Sequence, residues 1–144
     1  MQGNALLGPV VALVAWSLVM LVWMAVARAG AFRRLGVNVR TIPRGSRGAS
    51  LDQAGVDQAQ WKAHNYNHLM EQPTIFYAIV LALAIMGFDH PFNVALAWGY
   101  VGLRVVHSIV QATVNIVAIR LTLFALSTLC LLGLTLHAAM ALLH

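Results

Sequence analysis

Residues 102–120 read GLRVVHSIVQATVNIVAIR, and this stretch decides the fold of the chain. It is apolar, yet it carries polar side chains at helical spacing, namely Arg104, His107, Gln111 and Asn115, followed by Arg120. At about 100° of rotation per residue, the first four lie within roughly 80° on one helix face. An arginine at the centre of a membrane helix costs about 2.5–3.5 kcal/mol on insertion scales, so it normally faces a partner, a ligand or water. The stretch therefore predicts a membrane helix whose polar face has a specific partner.

The composition places the rest of the chain in a membrane as well. Of the 144 residues, 60% are hydrophobic and only 9% are charged, whereas soluble domains carry about 25% charged residues. Lys and Arg outnumber Asp and Glu by 9 to 4. The arginines cluster beside apolar spans without interleaved aromatic residues, which argues against a nucleic-acid partner. Cys130 is the single cysteine, so an intramolecular disulfide and a cysteine-based metal cluster are both excluded.

Four apolar segments are long enough to cross a bilayer. They predict a single domain over residues 1–144, with helices at about 5–28, 51–87, 92–114 and 119–143. Ser50 and Gln53 match a capping box at the start of the second helix, and Pro73 is expected to bend that helix. Residues 92–143 are too many for one span, so a hairpin is expected near residues 115–119. The expected fold class is an all-α membrane protein, a four-transmembrane-helix bundle.

The distribution of basic residues predicts the topology. The segment from Arg28 to the end of the loop at residues 29–50 holds six of the nine basic residues. Positive-inside counting places this loop in the cytoplasm and both termini on the opposite side, as in a bacterial inner-membrane protein. Arg28, Arg33 and Arg34 are each near enough to the first helix end to enter a site, and the sequence does not choose among them.

A second polar face lies on the helix that precedes Pro73. On a helical wheel it spans about 100° and comprises Asp57, Gln60, His64, Asn67, His68 and Glu71. This face enters the membrane from the cytoplasmic end, as does the face between Arg104 and Arg120. The two faces and the end of the first helix are therefore expected to meet in the cytoplasmic half of the bundle.

Arginines at this position suit a ligand with carboxylates, because the guanidinium binds them bidentately and stays charged. An Asn and a Glu one turn apart could bind an ammonium or amide group of the same ligand. The expected ligand is thus a small zwitterionic anion, with a lipophilic second substrate arriving from the bilayer. If the ligand carries a thiol near Arg120, the positive charge favours its thiolate.

Simpler roles compete with this interpretation. Arg104 and Glu71 could form a structural ion pair between two helices. His68 and His107, taken singly, are more often hydrogen-bonded packing residues than ligands. His64 and His68, one turn apart with Glu71 nearby, could bind zinc, but the segment lacks a His-Glu-x-x-His pattern and an evident third strong ligand.

The motifs together resemble the MAPEG family, the membrane-associated proteins in eicosanoid and glutathione metabolism. The resemblance covers nearly the whole chain and rests on the basic loop after the first helix, Pro73-x-x-Phe76 in the second, Arg104-x-x-His107 in the third, and Arg120. It implies a homotrimer of four-helix bundles with glutathione as co-substrate, bound between neighbouring subunits. It also implies conjugation, isomerisation or reduction of lipophilic substrates by a glutathione thiolate, with Arg120 as the catalytic residue. Ligand-binding positions would be Asn67, Glu71, Arg104, His107, Gln111, His64 and His68.

This chain departs from the family pattern at four positions. The second-helix motif Arg-x-x-x-Asn-x-x-Glu/Asp has Ala63 at its Arg and Met70 at its acid, with Glu71 one residue later. Tyrosines that several members carry are replaced by Gln111 and Phe124. Glutathione transferase or peroxidase activity is the expected function. The alternatives are a non-catalytic membrane protein of the same fold that binds another anion or a protein partner, and a small transporter with proton coupling at Glu71.

Overall fold

The computed structural model describes residues 4–47 and 57–143. Over these ranges the chain forms five α-helices: α1 (Leu7–Arg34), α2 (Asp57–Leu69), α3 (Gln72–Ile85), α4 (Pro91–Thr113) and α5 (Val117–Leu143). A short 3-10 helix, Val39–Thr41, lies in the loop after α1. These ranges contain no strand. The all-α fold class is confirmed.

Four helical segments are long and apolar enough to cross a membrane: α1, the α2–α3 pair, α4 and α5. The predicted four-span bundle is therefore confirmed. The first helix continues past residue 28, so that Arg28, Arg33 and Arg34 all lie within it. Arg33 and Arg34 occupy its last turn, where positive charge stabilises the helix dipole. The capping box at Ser50 and Gln53 lies outside the described residues.

The second span is interrupted at Met70–Glu71, between α2 and α3. Pro73 has no backbone N–H, and in a continuous helix its ring would clash with the carbonyl of Leu69. Two hydrogen bonds to the residue three positions earlier instead close α2, from Met70 N to Asn67 O at 2.9 Å and from Glu71 N to His68 O at 3.4 Å. Helix α3 then restarts, with Pro73 in its first turn. The break lets side chains on both sides of it approach the same neighbouring helix.

Helices α4 and α5 pack against each other along most of their length and are joined by a tight turn at residues 114–116. Asn115 adopts φ 52° in this turn, a left-handed conformation that Gly and Asn tolerate far better than β-branched residues. Its N–H closes the end of α4 by donating to Val110 O at 2.7 Å. The hairpin therefore depends on the residue type at position 115.

The core lies between the spans, while the outer surface remains apolar. Leu13, Phe76, Val80, Leu83 and Leu134 are among its buried members. The rings of Phe76 and Tyr100 stack at 4.3 Å between centroids, which joins α3 to α4. Large hydrophobic side chains are exposed along α1 and α5. Such a surface is far too apolar for a soluble monomer, and in a membrane protein it contacts lipid or other subunits.

Replacing Asn115 tests the turn. We expect Asn115→Val to destabilise the protein by about 1–2 kcal/mol, because a β-branched residue is strained in the left-handed region. Asn115→Gly should be more stable than Asn115→Val, since both variants lose the asparagine side chain but only glycine adopts this φ without strain. Thermal unfolding in detergent, followed by circular dichroism, compares the two variants. Equal stability of Asn115→Val and the wild type would contradict the assignment.

Candidate functional site

A cavity of about 240 Å³ lies where α2, α4 and α5 meet. His68 and His107 line its inner part, together with Arg120. Val117, Leu121 and Phe124 complete the lining from α5. Val117 and Leu121 are 71% and 66% exposed, so the outer part of the cavity is apolar and open. A polar interior with an apolar mouth suits an amphipathic ligand.

Arg104 lies behind this cavity and is the most deeply buried charged side chain that the structure describes, at 1% exposure. Its Nε donates to Tyr100 Oη at 3.2 Å, and its Nη2 donates to Gln72 Oε1. The guanidinium also lies 5.2 Å from the ring centroid of Phe124, within cation–π range. Side chains from α3, α4 and α5 thus contact the Arg104 guanidinium.

His68 connects Arg104 to Glu71. Its Nε2 lies 3.5 Å from Nη1 of Arg104, and its Nδ1 lies 3.0 Å from Oε2 of Glu71. Since the guanidinium can only donate and the carboxylate can only accept, His68 carries its proton on Nδ1. The ion pair that the sequence suggested between Arg104 and Glu71 is therefore mediated by an imidazole. No direct contact of the two is seen among the described residues.

The imidazole of His68 also forms part of the cavity wall. Its ring lies 5.0 Å from that of His107 and stacks on Phe124 at 5.6 Å. Glu71 itself is exposed, with 69% of its side chain accessible. His68 is consequently the point at which the exposed acid, the buried arginine and the cavity meet.

Arg120 is held by the turn that precedes it. Its Nη1 donates to Asn115 Oδ1 at 2.7 Å. Its Nε is buried and has no hydrogen-bond partner among the described residues. A buried donor without an acceptor lowers stability by about 1–3 kcal/mol. An acceptor from a ligand or a second subunit at this nitrogen would therefore stabilise the protein.

Several predicted residues lie away from the cavity lining. Gln111 is buried, and its Oε1 lacks a partner in the described part of the chain. Asn67 and His64 are exposed on α2. Of the three α1 arginines, Arg28 is half-buried with a buried Nε, whereas Arg33 and Arg34 are exposed. The structure therefore brings together Arg104, His107, His68, Glu71 and Arg120.

Sequence reasoning missed Gln72 and Asn65. Gln72 accepts from Arg104 and donates from Nε2 to Thr128 Oγ1 at 2.9 Å, so it joins α3 to both α4 and α5. Asn65 is 1% exposed and donates to Ser108 Oγ at 2.7 Å. The sequence signal for Gln72 was a polar residue directly before Pro73, together with an arginine in another span that needs a hydrogen-bond acceptor.

For zinc, no group of three or more His, Cys, Asp or Glu side chains within residues 4–47 and 57–143 could hold an ion.

Comparison with known proteins gives a match that covers almost the whole chain. The model of the MAPEG family matches residues 6–140. The chain belongs to the MAPEG family. No curated protein and no solved structure was found to match it. In this MAPEG protein, Arg120 lines the cavity between α2, α4 and α5.

Gln72 offers a test of how Arg104 is held. Gln72→Leu should destabilise the protein by about 1–3 kcal/mol, because it removes the acceptor of a buried guanidinium N–H. Gln72→Glu keeps that acceptor and should retain more of the stability. Unfolding by sodium dodecyl sulfate titration in mixed micelles measures both. If the two variants unfold alike, Gln72 is not the acceptor that holds Arg104.

Proposed function

We propose that this protein binds glutathione in the membrane and acts as a glutathione transferase or peroxidase on lipophilic electrophiles or hydroperoxides. The observation that carries this proposal is the Arg120 side chain, which lines a cavity and has a buried Nε without a hydrogen-bond partner in residues 4–47 and 57–143. The MAPEG fold supports it, since members of this family include glutathione transferases and peroxidases.

Arg120 would act by stabilising the thiolate of glutathione. A guanidinium stays protonated, so it lowers the free energy of a nearby sulfur anion without exchanging a proton itself. In transfer, the thiolate sulfur would form a bond to an electrophilic carbon, and the leaving group would depart with the bonding electron pair. Asn115 would hold the guanidinium in place through its 2.7 Å hydrogen bond.

The lining of the cavity supports two substrates of different polarity. His68 and His107 would face the polar part of glutathione, while Val117 and Leu121 would admit the lipophilic substrate from the bilayer. In a pocket larger than the cavity of the single chain, Gln111 would line the inner end. Arg104 would contribute positive charge from behind His68, because its Nε and Nη2 already donate to Tyr100 and Gln72.

A homotrimer with the ligand between subunits is part of the proposal. Small-molecule sites generally measure about 300–1,000 Å³, and the cavity of one chain measures about 240 Å³. Asn67, His64 and Glu71 are exposed on this chain, where a neighbouring subunit could enclose them with the peptide part of glutathione. The basic loop would lie in the cytoplasm, in the manner of a bacterial inner-membrane protein.

We further propose that His68 takes the role that the family motif gives to its Asn. The motif places Asn three residues before its acid, and His68 stands three residues before Glu71. His68 also contacts Glu71 and lines the cavity, whereas Asn67 is exposed. A shift of the motif by one residue accounts for the position of the acid and supports a ligand role for Glu71.

A non-catalytic role is the second candidate. It is favoured by the contacts of Arg104, each of whose three nitrogens has a partner in Tyr100, Gln72 or His68, as in a structural role. The replacement of two family tyrosines by Gln111 and Phe124 supports the same alternative. Such a protein would bind an anion or a partner but would show no thiol-dependent turnover.

Arg120→Ala tests the thiolate assignment. We expect glutathione conjugation of chlorodinitrobenzene in detergent to fall by about 10²-fold or more, the usual effect of removing a group that stabilises developing or localised negative charge. Arg44→Ala removes an exposed arginine of the loop after α1 and should leave turnover unchanged. Turnover that survives in Arg120→Ala would eliminate Arg120 as the catalytic residue. Glutathione binding without any turnover in the wild type would favour the non-catalytic alternative.

His68→Ala and Asn67→Ala form a matched pair for the shifted motif. We expect His68→Ala to weaken glutathione binding by about tenfold, since it removes a group that contacts the cavity and orients Glu71. Asn67→Ala should weaken binding less. Isothermal titration calorimetry with glutathione provides the affinities, and the reverse order would restore Asn67 to the motif position.

A further inference from the structure

A second cavity, of about 550 Å³, lies at the other end of the bundle. Its described lining residues are Met86, Phe88, His137, Met140, Ala141 and Leu142. His137 and Arg120 are both on α5, about 25 Å apart at 1.5 Å rise per residue. This cavity is therefore separate from the proposed thiol site and has the volume of an ordinary small-molecule site.

The hydrogen bonds of His137 define what the cavity can recognise. Asn93 is fully buried, and its Nδ2 donates to the carbonyl of Phe88 at 3.1 Å. A carbonyl can only accept, so the amide orientation of Asn93 is fixed and its Oδ1 faces His137. The distance from that oxygen to Nδ1 of His137 is 2.5 Å. His137 therefore donates from Nδ1, and in the neutral imidazole Nε2 is the acceptor of the ring.

The rest of the lining is apolar and partly aromatic. Phe88 and Met140 are exposed at the cavity, at 40% and 51%. The ring of Phe92 packs against His137 at 5.2 Å between centroids. An apolar pocket with one oriented acceptor fits a lipophilic molecule that carries one hydrogen-bond donor, and the aromatic neighbours favour a ring as its body.

We propose that this cavity binds a lipophilic phenol, whose hydroxyl donates to Nε2 of His137 while its ring and alkyl chain lie against Phe88, Met86 and Met140. The proposal is independent of the thiol chemistry at Arg120. Binding here requires no charge on the ligand, in contrast to the arginine-lined cavity at the other end.

The test uses para-pentylphenol, whose hydroxyl is a hydrogen-bond donor, and its methyl ether, which has no donor. The full-length protein in nanodiscs is labelled at its methionine methyl groups, and ligand titrations are followed by NMR. The methyl signals of Met86 and Met140 should shift, while that of Met70, at the break between α2 and α3, should not. We expect the phenol to bind about three- to tenfold more tightly than the ether, as one hydrogen bond allows.

Three variants decide the outcome. His137→Phe keeps a ring of similar shape and should abolish the preference for the phenol. Ala141→Phe fills the cavity and should prevent binding of both ligands, and it serves where His137→Phe does not fold. Arg120→Ala should keep the preference, because it changes only the other site. Equal affinities of the two ligands in the wild type, or an unchanged preference in His137→Phe, would overturn the proposal, as would unaltered binding in Ala141→Phe.

Discussion

The burial of the Arg104 guanidinium is the constraint on which this bundle depends. A charge removed from water has to be compensated by several well-placed acceptors or rings, and an apolar environment offers few of them. Here the hydroxyl of Tyr100, the amide of Gln72, the imidazole of His68 and the face of Phe124 share that task. Since these groups come from four helices, satisfying one arginine fixes the positions of α2, α3 and α5 around α4.

Hydropathy and helical periodicity were sufficient to predict the number of spans and the polar face of α4, because both depend on local sequence. Arg104 and His107 indeed lie buried on that face. The inward side of α2 was harder to predict. Asn65 lies outside the polar arc of the helical wheel, yet it is buried against Ser108, whereas Asn67 lies inside the arc and is exposed. Which side of a short helix turns inward depends on its packing partners, and these are distant in sequence.

The two cavities present opposite hydrogen-bonding character. At one end, Arg120 offers donors and positive charge, with histidines beside it. At the other, a single imidazole is oriented as an acceptor within an apolar lining. In each case a neighbouring amide orients the recognition group: Asn115 holds Arg120, and Asn93 holds His137. Uncharged residues at the two ends of α4 thus position one polar side chain of each cavity.

The link between Asn115 and Arg120 also has a consequence for biogenesis. The arginine finds its acceptor five residues earlier, within the same tight turn, so the pair can form as soon as α4 and α5 emerge together. Insertion of a charged helix end is less costly when its hydrogen bonds are made locally. The α4–α5 hairpin thus forms one hydrogen bond of this cation within itself, independently of the first two spans.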